Sequence, residues 1–167
     1  MTKGTVKSDN FDYTRIITVD SESIKHLISV DGKFIRLYRL VGEISCKTDY
    51  DPYSSVIETI IGQMLSNRVA HIFVDRLNKL CFTGKIDPDS IGKLSEENLR
   101  SIGISQSKAR CIIEFTDEYN KNDYSRQKLS LLSDEEIIKM ITSVKGLGNW
   151  SAKMFLLFVM DRENILP

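Results

Sequence analysis

Val144-Lys145-Gly146-Leu147-Gly148-Asn149-Trp150-Ser151-Ala152 is the stretch whose reading decides the fold. An amphipathic run from Asp134 to Ser143 leads into it, and an almost wholly apolar run from Ser151 to Met160 leaves it. The pattern predicts helix, tight turn, helix over about 134–160. Gly146 and Gly148 admit φ > 0 and put no Cβ over the turn. The amides around Gly146, Gly148 and Ser151 are then expected to face outward at the start of the second helix, where free N–H groups bind anions such as phosphate. The same residues also read as a plain C-cap glycine followed by a new helix, and the turn alone favours that plainer reading, because short glycine motifs have many false positives.

Outward from this corner, composition sets bounds. A chain of 167 residues with 41% apolar residues can bury a core and is not disordered throughout. Lys plus Arg equals Asp plus Glu at 23 each, so net charge weighs against a nucleic-acid partner, although a local basic strip stays compatible with one. Cys46, Cys81 and Cys111 are widely separated and match neither a disulfide framework nor metal-ligand spacing. They are expected in a reducing cytoplasm. No apolar run reaches membrane-spanning length, and the first residues carry no secretory signal, so no membrane partner is expected.

Along the chain, residues 1–19 are expected to be a loose N-terminal segment, with Thr14 to Val19 a short extended piece. Asp20 or Ser21 starts a helix to about Val30, Lys33 to Leu40 forms a second, and Cys46 to Asp51 reads as a loop. Pro52 suits a first helical turn. Val56, Ile57, Ile60, Ile61, Met64 and Leu65 fall on one helical face, and Val69, Ala70, Phe73, Leu77 and Leu80 repeat the spacing. Cys81 to Asp89 reads as a turn-rich connection. Short helices are expected from Ser95 and from Ser105 or Ser107, and Ser133 to Glu136 is a capping box. The sum is an all-α, orthogonal multi-helix fold over 20–167.

Three segments in order carry a resemblance. Lys145-Gly146-Leu147-Gly148-Asn149-Trp150-Ser151-Ala152 resembles the Pro-Gly-Ile-Gly-x-Trp-Thr-Ala hairpin of the HhH-GPD family of DNA base-excision glycosylases. Asp51-Pro52-Tyr53 with Ile60-Ile61-Gly62-Gln63-Met64-Leu65-Ser66 resembles its Asp-Pro-Phe … Ile-Ile-Gly-Gln-Gln-x-Ser segment. Gly103-Ile104-Ser105-Gln106-Ser107-Lys108-Ala109 resembles its Gly-hydrophobic-Ser-x-x-Lys-Ala segment. The Trp points to the 3-methyladenine DNA glycosylase II branch.

The resemblance implies base-excision repair on double-stranded DNA containing damaged bases, with removal of alkylated purines after base flipping. Phosphate would be held at Gly146, Gly148, Ser151 and Lys145. Gln63 and Met64 would stand where the family inserts a wedge into the duplex, though Met64 also fits a core face and Gln63 also fits a side chain bonded to the next turn. Trp150, with Met154 four residues on, would receive the base; a core Trp packing the hairpin is the other reading. Trp150 stands where bifunctional relatives carry a Schiff-base Lys, so monofunctional hydrolysis is implied. Backbone carbonyls near Thr142, Val144 and Leu147 would hold a sodium or potassium ion; no other cofactor is expected, and no iron–sulfur cluster. The family's catalytic Asp follows the Pro that matches Pro167. The chain therefore reads as C-terminally truncated, without the usual C-terminal helices, inactive as it stands and open to self-association. The other function classes are a non-catalytic helix-hairpin-helix DNA-binding module and a purely structural helical domain. Under the repair reading the location is cytoplasmic, with the nucleoid.

Overall fold

The side chains of Asp51, Asp87, Ser95, Ser125 and Ser133 each cap the helix that follows. In a computed structural model the described residues are 14–47, 51–162 and 164–167, and they form ten helices and two short strands. Contacts divide the chain between residues 49 and 50 into two units.

In the first unit β1 (Thr14–Ile17) pairs antiparallel with β2 (Ile44–Lys47), Ile17 lying opposite Ile44. Between them run α1 (Glu22–Val30) and α2 (Phe34–Val41). Ser21 precedes α1, but its Oγ accepts the Thr18 N–H at 2.9 Å and does not cap the helix. Gly42, at φ +77°, ends α2. The loop expected from Cys46 is corrected: residues 44–47 are strand, because Ile44 and Lys47 find partners in β1, while 48–50 lie outside the described residues. The expectation for residues 1–13 also lies outside them. Ile24, Leu27, Phe34, Leu37, Tyr38, Val41 and Ile44 line an apolar cleft of about 190 Å³.

The second unit holds α3 (Pro52–Gly62), α4 (Asn67–Leu80), α5 (Pro88–Ile91), α6 (Glu96–Ser101), α7 (Gln106–Lys121), α8 (Arg126–Ser130), α9 (Asp134–Thr142) and α10 (Asn149–Phe158). Asp51 caps α3, its Oδ2 accepting the Ser54 N–H at 2.8 Å, and Pro52 occupies the first turn. Helix α3 packs against α4, α7 and α10 and is the centre of the unit. Its Tyr53, Val56, Ile57, Ile60 and Ile61 are buried. They belong to one core with Ile112 and Phe115 of α7, Ile137 and Ile141 of α9, and Ala152 and Leu156 of α10. Tyr53 Oη and Thr116 Oγ1 share a buried hydrogen bond of 2.7 Å, and Thr116 also donates to the Ile112 carbonyl.

Three expectations are corrected. Met64 and Leu65 do not continue the buried face of α3, because the helix ends at Gly62 and both side chains are exposed. On α4 only Leu77 is fully buried, and Val69 is exposed. The turn-rich connection expected from Cys81 to Asp89 runs into a one-turn helix, α5, started by the Asp87 cap; a second one-turn helix, α8, follows the Ser125 cap.

Candidate nucleic-acid interface

The hairpin begins with α9. Ser133 Oγ accepts the Glu136 N–H at 3.2 Å and Glu136 Oε2 accepts the Ser133 N–H at 2.8 Å, a complete capping box. Val144 and Leu147 are buried and anchor the corner to the core, and the Leu147 N–H donates to the Val144 carbonyl at 3.1 Å. That turn requires Gly146. Its φ is +104°, and a Cβ there would stand 3.1 Å from Cys111 Sγ. Burial and the nearby Glu114 carboxylate push the Cys111 thiol up to about 11, so it is an inert packing group behind the corner. Gly148 differs from the expectation. Its φ of −99° is open to any residue, and nothing lies within 4 Å of where a Cβ would be. It needs no left-handed freedom; its lack of a side chain leaves the space before α10 empty.

Gly148 precedes α10 without a side-chain cap. Among the described residues, the amides of Gly146, Gly148, Asn149, Trp150 and Ser151 donate to no acceptor, whereas Ala152 donates to the Gly148 carbonyl. Of the four residues expected at phosphate, Gly146, Gly148 and Ser151 keep their amides free, though the Ser151 side chain is buried. The Lys145 amide is engaged with Glu114 Oε1 at 3.1 Å, leaving only its exposed side chain. The carbonyls of Thr142 and Leu147 receive no donor from the described residues, and that of Val144 receives one.

The Gln63–Met64 corner stands beside the hairpin. Gln63 Nε2 donates to the Gly146 carbonyl at 3.0 Å, bridging 83 residues of sequence. Met64 has φ +58° and is fully exposed at 101%. A non-glycine residue in the left-handed region with no packed side chain is an unusual cost. The core reading of Met64 is corrected by this geometry, and Gln63 bonds to the hairpin, not to its own next turn.

Trp150 is 54% exposed at the start of α10, so the core reading of this indole is corrected too. Met154, one turn on and on the same helix face, lines a cleft of about 270 Å³ with Ser55, Glu58, Thr59, Phe155, Phe158 and Val159. Burial holds the Glu58 carboxyl above the usual carboxylate range, opposed by nearby His71. Glu58, Glu114 and Lys108 were not legible as site residues in the sequence. Lys108 sits inside the Gly103–Ala109 segment, and that placement was the available hint; Glu58 and Glu114 reach the site only by packing.

No family model matches the chain. DNA-3-methyladenine glycosylase 1 of Schizosaccharomyces pombe is 26% identical over 157 residues, covering 91% of this chain and 69% of that protein. The crystal structure of DNA-3-methyladenine glycosidase from Bacillus halodurans superposes with a TM-score of 0.79 at 25% identity, covering 92% of this chain and 70% of that one. The Schizosaccharomyces pombe 3-methyladenine DNA glycosylase in complex with abasic DNA gives the same TM-score of 0.79 at 25% identity, covering 88% of this chain and 74% of that one.

Proposed function

We propose that this chain, which is of the HhH-GPD type of DNA glycosylase, carries the lesion-recognition surface of a monofunctional N-glycosylase that flips alkylated purines such as 3-methyladenine from duplex DNA and removes them. The observation that carries the proposal is Met64, exposed in a left-handed corner and tied through Gln63 to the hairpin. Grip and wedge are parts of one rigid surface.

The free amides of Gly146, Gly148 and Ser151 hold a backbone phosphate, aided by the partial positive charge at the N-terminus of α10 and by the Lys145 side chain. A sodium or potassium ion at the carbonyls of Thr142, Val144 and Leu147 would supply positive charge to the same phosphate. Met64 enters the stack and fills the gap that flipping leaves, a role suited to its flexible, polarizable side chain. Gln63 steadies the corner. Trp150 stacks on the extruded purine, and the positive charge of an alkylated base adds cation–π attraction. Met154 shapes the wall of the cleft beside it. Trp150 offers no amine, so no covalent sugar intermediate forms at that position and strand cleavage by β-elimination does not follow. Hydrolysis depends on the family's Asp, which stands after the Pro matching Pro167; its carboxylate stabilises the oxocarbenium-like sugar or orients water. Under this repair reading the protein works in the cytoplasm with the nucleoid.

The test is titration of this chain against a duplex bearing a tetrahydrofuran abasic analogue and against the intact duplex, across salt. Affinity should fall as salt rises, and the analogue should be preferred. Met64→Ala should keep the affinity for intact duplex and lose about tenfold of the preference. Salt-independent binding, or none, returns the hairpin to a purely structural turn.

A further inference from the structure

Met64 poses a question that the wedge role does not answer. Its side chain is fully exposed and its backbone is left-handed, so nothing about the residue itself stabilises the corner in the free protein. Something else must hold it. The Gln63 N–H donates to the Thr59 carbonyl at 3.2 Å and the Leu65 N–H to the Gly62 carbonyl at 3.0 Å, which closes the turn locally. The last carbonyls of α3 still carry the negative end of the helix.

We infer that Lys108 is the positioning residue of the wedge: its ammonium, donating to the carbonyls of Ile61 and Gln63 at 2.7 Å each, clamps the end of α3 and fixes the corner from which Met64 projects. The inference rests on the proposed role of Met64. Lys108 lies on α7, 45 residues from Gln63 in sequence, so the clamp fastens the corner to a different helix. Among the described residues no carboxylate pairs with it, and both short contacts go to main-chain oxygens. Lys108 lines a small cavity of about 140 Å³ with Ile61, Leu65, Phe73 and Ile104, beside the end of α3. Burial lowers the Lys108 pKa, the mark of an ammonium drawn from water for these two oxygens. With Gln63 Nε2 on the Gly146 carbonyl, the corner is pinned from two sides: to the hairpin by an amide, to α7 by a charge.

Three variants and two readouts decide it. In the free chain, Lys108→Met keeps the apolar stem and removes the ammonium; amide hydrogen exchange at Gly62 to Ser66 should quicken while Ile57 and Ile112 stay protected. Lys108→Arg restores a cationic donor and should recover part of the protection. On DNA, Lys108→Met should leave intact-duplex affinity near the original and lose about tenfold of the preference for the abasic-analogue duplex. Combined with Met64→Ala it should lose no more than either change alone, since both act on one device. Unchanged exchange at the corner, retained preference, or additive losses in the double variant would each overturn the clamp. If the original chain itself shows no preference for the analogue, the wedge reading fails first and the inference falls with it, which is a separate result from a wild-type preference that survives loss of Lys108.

Discussion

Two glycines four-square in the same motif do different work, and single substitutions should separate them. Gly146 sits at φ +104° against Cys111, so Gly146→Ala meets both a strained backbone and a contact of 3.1 Å. A cost of about 1–3 kcal/mol is expected, read as a lowered urea midpoint. Gly148 has ordinary φ and open space around it. Gly148→Ala should therefore leave stability within about 0.5 kcal/mol, yet weaken duplex binding about tenfold, because the new methyl occupies the approach to the free amides. Equal destabilisation by the two changes would show that Gly148 is also structural. From the sequence the pair looked alike, since a glycine letter records permission for positive φ without telling whether the backbone uses it.

At the scale of the element, the hairpin depends on α9 starting at one place. The Ser133–Glu136 capping box satisfies two donors that the first helical turn cannot pair internally. Ser133→Ala should cost about 1 kcal/mol, measured as a shift in urea midpoint at unchanged slope. A loss below about 0.3 kcal/mol would mean that burial of Ile137 and Ile141 alone places the helix. Capping residues of this kind were legible because they act within three residues. Helices α5 and α8 were harder to see: each is a single turn inside a polar connection, too short for apolar periodicity to register. The end of α3 was misjudged for a related reason. Met64 and Leu65 keep the apolar spacing, but the helix stops at Gly62, where Lys108 from α7 takes the carbonyls of Ile61 and Gln63. No local rule encodes a lysine that arrives from another helix.

Across the whole of the second unit, an aromatic cluster ties α3 to α7. The Tyr53 ring packs on Phe115 and Tyr119, and Tyr124 packs on both of these. Burial is the main cause raising Tyr53, Tyr119 and Tyr124 above the ordinary tyrosine value, with Tyr124 pushed up to about 12. A raised folded-state pKa means that the native protein keeps protons which the unfolded chain releases. The associated stability is fully present below the unfolded value of about 10 and is lost as pH rises from there through the folded values. The buried thiols of Cys81 and Cys111, also raised, should start a fall in urea midpoint above the unfolded cysteine value of about 8.5; the phenols should steepen it above about 10, and Tyr53→Phe should flatten that steeper part. A midpoint constant to pH 11.5 would contradict the burial of these phenols.

The sequence by itself determined the helical class, the corner at Gly146 to Ser151, and most helix starts, because each depends on spacing and caps within a few residues. It also carried the resemblance that orders the three segments. It could not determine whether Met64 and Trp150 lie in the core or outside it, since an apolar residue at helical spacing reads the same either way. Only the tertiary structure decided that both are exposed, that Gln63 reaches the hairpin, and that Lys108 closes α3. Those facts depend on segments dozens of residues apart meeting in space, and hydrogen bonds across such distances leave no periodic trace in the chain.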